Sequence, residues 1–323
     1  VAQESDSAAA PVERTLWIDG TFVPWAEATA HILSHSFQRG SLVFDYMSVD
    51  ETPRGPAVFR LSDHVERFFQ SVELVGLPLV LDPSAVEAAV VETVRRNPGA
   101  SAVKLSAYLA SIEVDVVPLD DHVTVAIAAY DPKRDVNAHK AVQPRYPKAL
   151  RIWIEKDIRN RRKDIMPPQA KVAANYTSPM AAKWRARRRG YDEILLVDEQ
   201  GYVAEGPTSN VFLVDRAGRL VTPVEDEVLL GVTRRSILEI ARHDGIPVEE
   251  GRVRPQDLIE AAEVFLTGTT AGVYPVASVD DKPIGQGAPG PVSLRLGERF
   301  RAIASGEDPA FEHWLTYVEP RQE

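Results

Sequence analysis

The chain has 323 residues, 37 of them Lys or Arg and 47 Asp or Glu, for a formal net charge of −10. That balance argues against a nucleic-acid or acidic-membrane binder, which needs a basic surface. There is no cysteine, so disulfides, thiolate nucleophiles, cysteine zinc sites and cysteine-ligated iron–sulfur clusters are excluded, and the absence fits a reducing, cytoplasmic setting.

Taken in chain order, residues 1–13 are acidic and rich in small side chains. They lack the basic and apolar regions of a signal peptide and read as a disordered tail. Residues 15–24 carry apolar runs on either side of Asp19-Gly20, the pattern of a β-hairpin. Strands are expected at 41–49 and 57–61. Ser62 or Asp63 can cap a helix that places Val65, Phe68, Val72 and Val75 on one face. A second amphipathic helix covers 82–96, followed by strands at 102–112 and 122–129. Residues 131–149 contain Pro132, Pro144 and Pro147 without periodicity and read as an interdomain linker.

Beyond it come a strand at 150–153, a helix at 179–189, and strands at 193–198 and 210–214. A helix at 233–243 ends near Gly245, a short helix follows at 255–260, and a strand at 263–267 enters the turn Gly268-Thr269-Thr270. Strands come in consecutive pairs as well as alternating with helices, so the fold class is α+β. No run reaches the ~18 apolar residues of a membrane-spanning helix.

Nine of the 37 basic residues are lysine. Eight sit among polar, charged or turn residues or in a strand. Lys171 lies in Gln169-Ala170-Lys171-Val172-Ala173-Ala174-Asn175-Tyr176, among small and apolar neighbours. Such a setting desolvates the amine, favours its neutral form and leaves room for a planar ligand. The same composition also suits a surface lysine whose stem lies along apolar neighbours.

Further blocks follow at ordered separations. They are Arg187-Arg188-Arg189-Gly190-Tyr191-Asp192-Glu193, then Glu205-Gly206-Pro207-Thr208-Ser209-Asn210, then Leu229-Leu230-Gly231-Val232-Thr233-Arg234, then Thr267-Gly268-Thr269-Thr270-Ala271-Gly272. With Trp17-Ile18-Asp19-Gly20, Ser34-His35, Val43-Phe44, Val58-Phe59-Arg60 and His64-Val65-Glu66-Arg67, the chain resembles the fold-type IV pyridoxal phosphate enzymes. This is the class IV aminotransferase family, and the branched-chain aminotransferases are the nearest subgroup.

The resemblance implies a two-domain architecture of the D-amino acid aminotransferase type. A small N-terminal domain would span 14–130 and a larger cofactor domain 150–323. It implies pyridoxal 5'-phosphate as cofactor, a small-molecule amino donor, a 2-oxo acid acceptor such as 2-oxoglutarate, and at least a homodimer. By the same resemblance Lys171 forms the Schiff base and moves protons. Glu205 serves the ring nitrogen, Tyr176 the phenolic oxygen, and Leu229 a ring face. Arg67, Val232, Thr233 and Thr269 serve the phosphate, partly through free N–H groups at a helix start.

The substrate wall, expected at Phe44, Arg39, Lys104, Thr270 and Ala271, departs from the subgroup. Arg39 stands where Tyr is usual, Asp45-Tyr46-Met47-Ser48 where Glu-Gly-x-Arg is usual, and Gly272 where Glu is usual. Arg39 either binds a substrate carboxylate or pairs with Asp45 or another acid. The activity expected is transamination of an aliphatic amino acid, with the branched-chain L-type first. The alternatives are an (R)-selective amine or D-amino acid transaminase, an aminodeoxychorismate lyase and a catalytically dead scaffolding relative.

Three other features carry less. The basic run at 183–189 reads as a solvated helix face. His31 and His35 lack a carboxylate at metal-ligand spacing, and no metal is expected. Gly285, Gly287 and Gly290 lack the strand and helix that make a phosphate loop.

Overall fold

The computed structural model describes residues 13–138, 140, 148–286 and 289–319. Most of the expected N-terminal tail, much of the expected linker and Gly287 lie outside them. Two sheets carry the chain. The first has seven strands in the order Leu315–Tyr317, Gly55–Phe59, Val43–Thr52, Ala102–Leu109, Val123–Tyr130, Thr15–Ile18, Thr21–Pro24. Every pairing in it is antiparallel.

The hairpin turns on Asp19 and Gly20, both at positive φ (44° and 91°), as a two-residue primed turn requires. In Val43–Thr52 the pleat alternates strictly. Val43, Asp45, Met47 and Val49 are buried, while Phe44, Tyr46 and Ser48 face the other side half-buried.

The helix Leu61–Val75 lays Leu61, Val65, Phe68 and Val72 on the buried face. Fully buried side chains of this kind each contribute about 1.5–3 kcal/mol. Its start differs from expectation. Neither Ser62 nor Asp63 caps it; Arg60 does so in the left-handed region at φ 48°. The strand therefore ends at Phe59, and Leu61 is already helical. Arg60 is 5 % exposed. Its guanidinium reaches Ser236 Oγ (3.2 Å), Glu239 (3.1 Å) and Asp63 (2.5 Å) and lies 4.3 Å from the Trp314 ring centroid. Those contacts span both halves of the chain and hold a conformation that costs about 1–3 kcal/mol in a non-glycine residue.

The second sheet runs Val248–Gly251, Leu220–Pro223, Ser209–Val214, Glu263–Gly268, Gly272–Val279, Leu150–Glu155, Glu193–Leu196, with Glu205–Gly206 and Lys282–Pro283 as short additions. It mixes parallel and antiparallel pairs. Helices Val232–His243 and Pro291–Ala304 cover one face through Ile237, Ile240, Leu296, Phe300 and Ile303 against Phe212 and Phe265. Ala57, Phe59 and Leu315 of the first sheet join that core, so the two sheets share apolar contacts. Pro132–Asn137 forms a single helical turn inside the expected linker. Among the described residues, no helix is long and apolar enough to cross a membrane.

Candidate active site

The segment that carries Lys171 is fastened to the edge of the first sheet. Val43 bridges Val172, Phe44 N–H donates to Lys171 O (3.0 Å), and Ala173 N–H donates to Leu42 O (2.8 Å). Ser71 Oγ accepts from Lys171 N–H (3.1 Å). Ala170 and Val172 are buried in the first core, so the small residues noted in the sequence are there to pack. Gly40 shows why. It sits at φ 70°, and a Cβ there would come within 3.3 Å of Ala174 Cβ. Lys171 is thereby held between the two sheets.

On the other side, the two-residue turn Pro207-Thr208 folds Glu205–Gly206 against Ser209 and Asn210. Glu205 is 2 % exposed. Its Oε1 accepts from Arg161 (2.5 Å) and its Oε2 from the Leu229 amide (3.0 Å) and Asn210 Nδ2 (3.4 Å). Asn210 also donates to Leu229 O (2.9 Å). The helix Val232–His243 begins beside this group, and its N-cap Gly231 supplies no side-chain oxygen to the helix start. The first-turn amides are left for a ligand.

Between these walls lies a space of about 420 Å³, open to solvent at its mouth. All eight residues expected to serve the cofactor line it: Arg67, Lys171, Tyr176, Glu205, Leu229, Val232, Thr233 and Thr269. None of the five expected on the substrate wall does. Phe44 stands just outside, its ring centroid 5.3 Å from that of Tyr176. Lys104 reaches over Phe44 from the neighbouring strand. Thr270 and Ala271 continue the turn after Thr269, with Ala271 N–H donating to Gly268 O (3.2 Å). Arg39 is exposed and donates to Val114 O (2.7 Å).

The pairing of Arg39 with Asp45 does not occur. Asp45 is fully buried and held instead by Arg67 Nε (2.8 Å), Arg67 Nη2 (2.7 Å) and His64 Nδ1 (2.7 Å). The pleat decides this, because Asp45 points into the core beneath the helix that bears His64 and Arg67.

Charges in the site are coupled. Burial lowers the Lys171 amine to about 8; the nearby Arg67 and Arg161 guanidiniums push the same way, while Asp45 and Glu205 oppose them. Lys171 Nζ is 3.3 Å from Tyr176 Oη, and burial raises that phenol to about 12. Burial raises Glu205 as well, against the pull of Arg161, the Leu229 amide and Lys171. Burial works against the Asp45 charge too, yet Arg67 and His64 outweigh it and hold the carboxyl well below the usual carboxylate range.

Three cavity-lining residues present buried polar atoms without a protein partner: Arg161 Nε, Ser209 Oγ and Thr267 Oγ1. Orphaned groups of this kind require a ligand or water. Together with an amine, a carboxylate and a guanidinium beside a helix start, they match a group carrying a carbonyl, a basic ring nitrogen and a phosphate.

Sequence reading missed Arg161, which sits in the polar run Arg159-Asn160-Arg161-Arg162-Lys163 and looks like surface. It also missed the roles of Asp45, His64, Ser209 and Asn210; only the fold brings them to the cavity. His31 and His35 are engaged elsewhere: His31 Nδ1 accepts from Leu33 N–H (3.1 Å), and His35 contacts Ser41 Oγ and Val116 O.

Known proteins share this arrangement. The family model for amino-transferase class IV matches residues 42–279. The branched-chain-amino-acid aminotransferases of Pseudomonas aeruginosa and Escherichia coli K12 are 31% and 30% identical over 307 and 305 residues; both matches cover 94% of this chain and 97% of the relative. The crystal structure of the T.th. branched-chain amino acid aminotransferase with pyridoxamine 5'-phosphate matches with a TM-score of 0.87 at 37% identity, covering 95% of this chain and 99% of that one. The chain therefore belongs to the class IV aminotransferases. It has the fold-type IV architecture, and its cofactor is pyridoxal 5'-phosphate.

Proposed function

We propose that this aminotransferase moves an amino group between an aliphatic amino acid of the branched-chain L-type and a 2-oxo acid such as 2-oxoglutarate. The observation that carries the reading is the convergence of Lys171, Tyr176, Glu205 and Arg67 on one cavity, together with relatives named for branched-chain amino acids. Bound pyridoxal phosphate supplies an electrophilic carbonyl and an electron-accepting ring.

The chain's own residues do the rest. Lys171 Nζ, partly neutral near pH 8, attacks as a free amine and afterwards takes up and returns a proton at the substrate carbon. Glu205 stabilises positive charge at the ring nitrogen, with Arg161 and the Leu229 amide fixing the carboxylate. Tyr176 donates to the ring oxygen, and Leu229 packs a ring face. Arg67, the amides of Val232 and Thr233, and the Thr269 hydroxyl neutralise and orient the phosphate. Phe44, Arg39, Lys104, Thr270 and Ala271 form the substrate side.

The reading extends to a cytoplasmic homodimer built from two domains, 14–130 and 150–323, joined by 131–149. Exposed Ile32, Leu33, Phe37, Ile112, Val114, Val116, Val117 and Leu119 support the dimer. They lie on two segments joined by the Ser34–Ile112 bridge, and a concentration of this kind marks an association surface. Sedimentation at micromolar concentration checks it.

The deciding experiment is a half-reaction on the cofactor-loaded protein. L-leucine is expected to bleach the visible band of the lysine-bound cofactor and release the matching 2-oxo acid, and Lys171→Ala to abolish both. Bleaching only by D-alanine or (R)-1-phenylethylamine would reassign the donor. Pyruvate released from aminodeoxychorismate without bleaching would make the protein a lyase.

A further inference from the structure

We propose that Lys104 is the residue that binds the substrate carboxylate and so sets the preference for carboxylate-bearing substrates; this rests on the transaminase reading above. Lys104 lies on the strand Ala102–Leu109 between Val103 and Leu105, both fully buried in the core. The pleat therefore turns it to the opposite face. There it stands cross-strand from Tyr46, with Phe44 one pleat away opposite Ser106.

Lys104 Nζ is 4.6 Å from the Phe44 ring centroid, and Lys171 Nζ is 5.1 Å from the same centroid. The two amine nitrogens are thus no more than about 10 Å apart. A substrate amine has to arrive where Lys171 Nζ now stands. Its carboxylate then falls within a few ångströms, inside the sweep of a flexible four-carbon stem.

Lys104 is also the amine with something to gain. Among the described residues no carboxylate forms an ion pair with it, whereas Lys156, Lys163 and Lys183 pair with Asp280, with Asp226 and Glu227, and with Glu193. Burial alone lowers its amine, while Lys171 feels Asp45 and Glu205. A half-buried ammonium facing only an aromatic ring is poorly compensated, and an incoming carboxylate completes it. Arg39, the other basic residue of the substrate side, already donates to the Val114 carbonyl at the surface.

The test compares Lys104→Met and Lys104→Arg with the wild type, all loaded with cofactor. For Lys104→Met the KM of L-leucine is expected to rise about 10–100-fold, the loss of one charge-assisted contact, with kcat within a few-fold. Lys104→Arg restores most of the loss. A calorimetric arm needs no turnover. It measures 4-methylpentanoate against its neutral counterpart 4-methylpentanamide, and Lys104→Met should weaken the acid by the same factor and leave the amide unchanged.

A KM rise confined to L-glutamate and 2-oxoglutarate would support the same contact through the distal carboxylate. Equal weakening of acid and amide, or a KM rise with Arg39→Ala and none with Lys104→Met, would overturn the proposal. Failure of L-leucine to react with the wild type would instead strike the transaminase reading, and the calorimetric arm would still decide the role of Lys104.

Discussion

Replacing Asp45 with Asn tests the electrostatic frame under the site. The carboxylate is fully buried and accepts from Arg67 twice, from His64 and from the Tyr46 amide (2.7 Å). Asn keeps one acceptor but turns a donor toward a guanidinium that has no acceptor of its own to offer. The Arg67 charge is then left buried without its counterion, a loss of about 3–5 kcal/mol. Asp45 lies well below its ordinary range in the fold. Its contribution is therefore fully present above the ordinary aspartate range and is lost only in strong acid, and an assay at pH 7 reads all of it.

Urea denaturation of the cofactor-free protein should show that loss. A second readout separates charge from shape. Asp45 raises the Lys171 amine, so Asp45→Asn should move the pH midpoint of cofactor attachment below about 8. Asp45→Glu keeps the charge, leaves that midpoint near the wild-type value and costs about 1–3 kcal/mol for the extra methylene. A loss under about 1 kcal/mol with an unmoved midpoint would refute the reasoning.

The remaining expectations concern single contacts. Trapping of Lys171 by cofactor and borohydride should rise with pH and level off above about 8, since the neutral amine is the reacting form and its pKa is lowered to about 8; a midpoint at the ordinary lysine value would contradict the burial seen here. In Gly231→Ala the new Cβ meets Asn210 Oδ1, whose amide is already fixed by Leu229 O. The expected cost is about 1–3 kcal/mol, with weaker cofactor retention by thermal shift, and a variant as stable as the parent would show that Asn210 is free to move. Arg161→Leu removes the 2.5 Å partner of Glu205, whose carboxyl burial already raises. The spectrum of the bound cofactor should then become pH-dependent across neutrality, and Arg161→Lys should restore it.

Local pattern alone carried much of this protein. The Asp19-Gly20 hairpin, the amphipathic helices and most of the strands follow from periodicity and turn chemistry, which act over a few residues. The spaced blocks around Lys171, Tyr176, Glu205, Val232-Thr233 and Thr269 named the cofactor residues, and every one of them lines the cavity. Boundaries were less legible. Arg60 caps its helix in a left-handed conformation because Ser236, Glu239 and Trp314 hold it there, contacts made more than 170 residues away in sequence.

Tertiary structure alone decided which charges meet. Asp45 faces Arg67 and His64 because a pleat turns it inward, Arg161 reaches Glu205 across 44 residues, and Lys104 is left beside Phe44 without a carboxylate. A sequence records that these groups are charged. Their partners, and hence their protonation and use, depend on burial and on separations of a few ångströms, and only the packed fold sets those.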